Sequence, residues 1–167
     1  MIDQIQMTPL SKIHLSRTAA QVERRAHFDK AAIAELADSI KTVGMLSPII
    51  ARPVTTVETA GLNGIYIPAL RKDVFSPDEA DEIRRTHVEL VAGERRYLAA
   101  KLAKLDQVPV SVRPLTDEQV LEVQLIENLQ REGLHELAEA EGYEALAKLG
   151  HPAEEIADKV GKSKAYV

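Results

Sequence analysis

The chain has 167 residues, 45% of them apolar, a formal net charge of −5 and no cysteine; that length buries one good hydrophobic core and a smaller second one. The lack of cysteine excludes disulfide frameworks, thiolate nucleophiles and cysteine-based zinc sites. No apolar run reaches the roughly 18 residues of a membrane span, and the start "MIDQIQMTPLSKI" lacks the build of a secretion signal, so a cytoplasmic protein is expected. Its acidic balance argues against a generally basic nucleic-acid surface but leaves room for a local one. The histidines His14, His27, His87, His135 and His151 show no metal-ligand spacing and read as solvated surface groups.

In chain order, "HFDKAAIAELADSIKTVG" predicts an amphipathic helix capped by Asp29, with Ile33, Leu36, Ala37, Ile40 and Val43 on its apolar side and Gly44 as its stop. "SPIIARPV" predicts a short strand whose proline ends suit a sheet edge. Residues 55–87 read as a surface excursion with one short helix, started by Ser76, Pro77 and Glu79. "THVELVA" is a strand, Glu94 to about Leu105 a helix, and "QVPVSVRPL" a strand alternating Val108, Val110 and Val112. After Leu115 every segment has helical period, which sets a boundary between a domain of residues 1–115 and a helical one of 116–167. "TDEQVLEVQLIENLQREG" opens with a capping box from Thr116 to Gln119 and closes at Gly133. "LHELAEAEGYEALAKLG" ends at Gly150 and carries Gly142 inside, at a cost of about 1 kcal/mol relative to alanine. The last segment starts a helix at Pro152, turns at Gly161 and begins another at Ser163.

Two clusters carry chemistry. In "VAGERRYLAAKLA", Gly93 lets backbone approach a ligand closely, and the first helical turn offers free N–H groups and the positive end of the dipole. Arg95 and Arg96 add planar donor forks, whose charge-assisted bonds contribute roughly 1.5–3 kcal/mol each. Cations at this helix end are otherwise mildly unfavourable, by about 0.3–1 kcal/mol, so either a polyphosphate compensates them or both arginines pair with acidic side chains elsewhere. In "IENLQRE", Glu127 and Arg131 share a helical face with Asn128 beside them. A carboxylate and an amide suit magnesium, with nucleotide phosphates completing its shell; the alternative is an exposed helical ion pair contributing about 0.2–0.5 kcal/mol.

Together, "LADSIKTVGMLSPIIARP", "ELVAGERRYLAAKLAKLDQVPVSV" and "LIENLQREGLHELAEAEGY" resemble the ParB-type partition proteins of plasmids and chromosomes, over roughly residues 33–167 without the excursion. The resemblance implies an α+β domain of the ParB/sulfiredoxin-like kind that binds cytidine triphosphate (CTP), followed by an all-α domain carrying a helix-turn-helix for a centromere-like DNA site. By motif, Gly93, Arg95 and Arg96 would hold the triphosphate, Glu94 would assist hydrolysis, and Glu127, also catalytic, would hold Mg2+ with Asn128. Arg131 would contact phosphate or brace the site, while Gly44, Leu46, Ser47 and Pro48 would form the base pocket; Gly44 as an ordinary helix stop is an equal reading. The family works as a slow CTPase switch: nucleotide favours a closed dimer clamp on DNA, and hydrolysis reopens it. A partner partition ATPase and a homodimer through a C-terminal region are also implied.

The end of the sequence has local evidence of its own, because Ala157, Gly161 and Val167 fall at the small, glycine and apolar positions of a helix-turn-helix. Ser163 can cap its second helix, and Lys159, Lys162 and Lys164 suit phosphate contact as well as they suit a solvated helix end. Lys162, Ser163 and Lys164 are the DNA-binding candidates. The sequence stops at Val167 inside that helix, so a truncated DNA-binding domain is expected. Departures from the family pattern are the absence of its asparagine before the first long helix, which leaves Arg17 and Arg25 as equal candidates for a phosphate contact, the excursion at 55–87, and Gly133 with His135 and Glu136 after the acidic motif. No short basic N-terminal motif for stimulating an ATPase is seen, which leans towards a plasmid or accessory-replicon protein. The rival to a nucleotide switch is a nucleotide-independent helix-turn-helix regulator on the same scaffold.

Overall fold

The computed structural model describes residues 5–15, 29–54, 77–130 and 134–167, in two compact units, Met1–Pro114 and Leu115–Val167. The first is α+β. Its strands are β1 (Ile5–Pro9), β2 (Ile13–Leu15), β3 (Ile49–Pro53), β4 (Val88–Ala92) and β5 (Gln107–Val112), and its helices are α1 (Lys30–Val43), α2 (Pro77–Thr86) and α3 (Glu94–Leu102). The sheet order is β1-β5-β3-β4-β2, with β1/β5 and β3/β4 antiparallel and β3/β5 and β2/β4 parallel.

The expected edge position of "SPIIARPV" is corrected, because β3 is the central strand. Its prolines are tolerated because Pro48 precedes the strand and Pro53 is its last residue, so the interior ladder keeps its N–H donors. Register explains the core: Ile49 opposite Val110, Ala51 opposite Leu90 and Ile13 opposite Val88 set apolar side chains on one face, where Tyr97 and Ala100 of α3 cover them. Helix α1 is started by the Asp29 carboxylate, which accepts from Ala31 N at 2.9 Å, and ends at Gly44 with φ 79°. It lies against α3 through Ala37 and Ile40 on Ala99, small residues that let the backbones approach.

Strands β1 and β2 are absent from the sequence reading. One is an edge strand with a single buried side chain, Thr8, and the other is three residues long, so neither shows a period of its own. Helix α3 stops at Leu102 rather than Leu105, where Lys104 takes a positive φ of 57° and turns the chain into β5.

The second unit holds α4 (Asp117–Leu129), α5 (Glu136–Lys148) and α6 (Ala153–Val160). Both halves of the Thr116–Gln119 capping box are formed. Helix α4 ends at Leu129, short of the expected Gly133, which lies outside the described residues. Leu129, Tyr143, Leu146, Ile156 and Val160 make the core. A methyl on Gly142 would lie 2.8 Å from Leu129 Cδ2, so close helix packing favours glycine here in spite of its poor propensity. After Gly161, at φ 72°, the residues from Ser163 form one turn, in which the Tyr166 and Val167 N–H groups donate to the Ser163 carbonyl at 3.0 and 3.3 Å.

Candidate functional site

Strand β4 is buried throughout, Glu89 included, and the chain leaves it through Gly93 at φ 92° and ψ 30°. The left-handed backbone favours glycine there, and space is tight as well: a Cβ would lie 2.9 Å from Arg96 Nη2 and 3.1 Å from Ile49 Cγ2. Arg96 reaches back across the glycine, and its Nη1 donates to the carbonyls of Pro48 at 2.6 Å and Ser47 at 2.9 Å. One guanidinium thus ties the β4–α3 corner to the loop between α1 and β3. Nη2 takes no hydrogen-bond partner among the described residues. Arg95 is exposed and Glu94 half-buried; burial, then the Glu94 charge, raises the Tyr97 phenol above its ordinary range.

The loop is pinned at both ends. Met45 packs into the core, Ser47 and Pro48 are held by Arg96, and Leu46 between them is 85% exposed. A Cβ on Gly44 would meet nothing within 4 Å, so that glycine answers to its backbone angle alone. Of the residues singled out from sequence, Arg96 bonds Ser47 and Pro48 and passes beside Gly93, with Leu46 on the same loop.

In the second unit, Glu127 is exposed and Asn128 half-buried on the last turn of α4. Both offer oxygen, which fits a hard divalent cation. No group of three or more acidic or histidine side chains able to hold a metal occurs among the described residues, so such an ion needs phosphate or water ligands as well. Arg131 lies outside the described residues, as do Arg17 and Arg25. In the turn after Gly161, Lys162 Nζ sits 5.0 Å over the Tyr166 ring, Lys164 pairs with Glu154 at 3.3 Å, and Ser163 is exposed. The Tyr166 hydroxyl donates to Glu139 at 3.1 Å, and that of Tyr143 to the same carboxylate at 2.6 Å; the Tyr143 bond, then that of Tyr166, lowers the Glu139 pKa.

Residues 1–65 and 71–129 match the model of the ParB N-terminal domain family. The chain belongs to that family. Similar ParB proteins include the chromosome-partitioning protein Spo0J of Thermus thermophilus, 40% identical over 86% of this chain and 42% of its own length. Another is the probable chromosome 1-partitioning protein ParB of Deinococcus radiodurans, 36% identical over 96% of this chain and 46% of its own. The chain therefore spans less than half the length of these relatives. Two crystal structures of C-terminally truncated ParB from Caulobacter crescentus are similar. One, complexed to the centromeric parS site, is 32% identical with a TM-score of 0.66 and covers 97% of this chain and 67% of its own. The other, complexed with CTP-γ-S, is 33% identical with a TM-score of 0.52 and covers 98% and 74%.

Sequence reasoning missed three polar constellations in this ParB-family chain. Arg52 and Glu89, register partners on β3 and β4, form a 2.8 Å ion pair with side chains only 11% and 9% exposed. The histidine expectation is corrected at His14, which is 6% exposed and meets His87 nitrogen to nitrogen at 2.6 Å. The rings are parallel within 5° with centroids 4.9 Å apart, the separation of two rings joined end to end rather than face to face. One must donate and the other accept, which suits a neutral pair. Burial, then the neighbouring His87, lowers the His14 pKa from 6.5 to about 4; burial, then Lys12, lowers that of His87 against an opposing pull from Glu82. The third constellation engages Lys159, expected to stand with Lys162 and Lys164, in ion pairs with Glu122 at 2.5 Å and Glu155 at 2.7 Å. Apart from the i,i+4 pair of Glu155 and Lys159, whose spacing the sequence does show, these pairings join distant segments, so only register or packing could have signalled them.

Proposed function

We propose that this ParB-family chain is the nucleotide-switch portion of a partition protein, in which bound CTP controls engagement of a parS-like DNA site. The observation that carries the reading is the Gly93–Arg96 corner, where a positive-φ glycine, an uncapped helix entrance and a guanidinium gripping the Ser47–Pro48 loop occur together. Such a corner presents backbone N–H groups and fixed positive charge to an anion. Support comes from a relative of 33% identity whose crystal structure holds CTP-γ-S.

In this reading Gly93, Arg95 and Arg96 hold the triphosphate, and Gly44, Leu46, Ser47 and Pro48 line the base. By bracing the loop, Arg96 fixes the carbonyls that meet the base, so it serves specificity as well as charge. Glu127 and Asn128 hold magnesium, which when bound neutralises charge on the transferring phosphate. Glu94 and Glu127 are the carboxylates proposed for slow hydrolysis. Residues 115–167 belong to the helical DNA-binding part, with Lys162, Ser163 and Lys164 facing DNA phosphates or bases. A partner ATPase and a nucleotide-dependent dimer clamp complete the proposed system.

Melting temperature with each of the four ribonucleoside triphosphates at millimolar magnesium tests the reading. A ligand at a hundred times its Kd stabilises the native state by about 2.7 kcal/mol, so CTP should raise Tm by roughly 5 °C or more for a chain of this size, with the other three giving less. No response would return the chain to a nucleotide-independent DNA-binding regulator, and an equal response to all four would remove the base pocket while keeping a triphosphate site.

A further inference from the structure

Lys159 is the penultimate residue of α6 and lies two positions before Gly161, at the entry to the proposed DNA-facing turn. Its ammonium is shared by Glu122 of α4 at 2.5 Å and Glu155 of its own helix at 2.7 Å. His151, between α5 and α6, sets Nδ1 3.1 Å from Glu155 and Nε2 3.5 Å from Glu122. The side chains of Glu122, Lys159 and His151 are 22%, 29% and 18% exposed, so these charges are partly withdrawn from the screening that makes open surface pairs weak. The main chain is tied too, because Gln130 Nε2 donates to the Lys159 carbonyl at 3.2 Å. Between these two ties, Leu129 packs in the same apolar cluster as Val160.

Glu122 and Gln130 thus bracket Glu127 and Asn128 on the chain, and both hold the last turn of α6. We propose that Glu122 and Lys159, seconded by Gln130, are positioning residues that couple the magnesium-binding end of α4 to the DNA-facing turn after α6. The coupling rests on the nucleotide-switch reading. A displacement of Glu127 and Asn128 has two outcomes: α6 follows through these ties, or the Glu122–Lys159 pair breaks and leaves Glu122 half-buried with only His151 near it. Lys159 accordingly acts through its carboxylate partners, and the phosphate contacts fall to Lys162 and Lys164.

The test measures affinity for a parS duplex with and without CTP and magnesium, in the parent and in Glu122→Gln, Lys159→Met, Lys159→Arg and Gln130→Ala. The Gln130 variant leaves every charge in place and serves if loss of the ion pair unfolds the unit. Glu122→Gln should bind CTP in the absence of DNA within about twofold of the parent, yet lose roughly fivefold or more of the nucleotide-dependent change in DNA affinity. Lys159→Met should match it, Lys159→Arg should recover most of the change, and Gln130→Ala should fall between. A parent with a clear nucleotide effect and folded variants that keep all of it would overturn the positioning role alone. A parent whose DNA affinity ignores CTP would overturn the switch reading, and the coupling with it.

Discussion

The Gly93–Arg96 corner and the Glu127–Asn128 edge are both charged motifs at a helix end, yet they are held in different ways. At the corner the charge is spent partly on the fold, since Arg96 bonds two carbonyls of a loop almost fifty residues away in sequence. At the edge, Glu127 is displayed to solvent and owes its place to the apolar seam beneath α4, where Leu129 meets α5 and α6. In the proposed site a charge tied to backbone is structural and functional at once, so removing it should disturb both. A charge set on an apolar seam is a clean probe of function.

Arg96→Ala carries the largest expected effect and should show the mixed character. Loss of a charge-assisted contact to phosphate together with the loop brace should weaken CTP binding by about a hundredfold, as two interactions of 1–2 kcal/mol each would. Melting temperature should fall as well, because two carbonyls lose their donor. Arg96→Lys should restore less than half of the binding energy, since an ammonium lacks the planar fork. Calorimetric affinity for CTP is the measurement, and parental affinity in Arg96→Ala would remove the corner from the site.

These differences also explain what the sequence could disclose. The caps at Asp29, Gly44, Thr116 and Gly161 act over a few residues, so local pattern placed them within a residue or two. The corner itself was legible because Gly93, Glu94, Arg95 and Arg96 are contiguous, but its link to Ser47 and Pro48 came only through resemblance to a family. Strand order is set by pairing between distant segments, and so the central place of β3 could not be read from prolines at its ends. Burial of His14 and the engagement of Lys159 depend on what is packed opposite them, His87 in one case and Glu122 in the other. Composition and spacing contain no term for that.

Glu127→Gln should give the opposite signature to Arg96→Ala. The substitution is nearly isosteric on an exposed side chain, so the melting temperature should stay within the equivalent of about 0.5 kcal/mol. Loss of one anionic oxygen donor should nonetheless lower magnesium-dependent CTP turnover by about tenfold, the lower end of what perturbing a metal site costs, while some nucleotide binding persists. Turnover at several magnesium concentrations would check it. A drop in stability equal to that of Arg96→Ala would erase the contrast between the two regions, and full turnover would remove Glu127 from the metal.

The smallest effect tests the seam that holds the acidic edge. Alanine at position 142 gains about 1 kcal/mol of helix propensity, but its methyl would stand 2.8, 3.1 and 3.3 Å from the Cδ2, Cγ and Cδ1 atoms of Leu129. Leu129 is 4% exposed and in contact with Tyr143, Leu146 and Ile156, so it has nowhere to retreat, and overpacking of this kind costs about 1–3 kcal/mol. The clash should therefore win by about 1 kcal/mol, a fall of roughly 2–4 °C in Tm. In a Leu129→Ala background the obstacle is gone and the same substitution should become stabilising, so the sign of the Gly142→Ala effect reverses between the two backgrounds. If it stabilises the parent as well, Leu129 yields easily, and the Glu127–Asn128 edge rests on a softer support than the corner by more than the difference in their polar contacts.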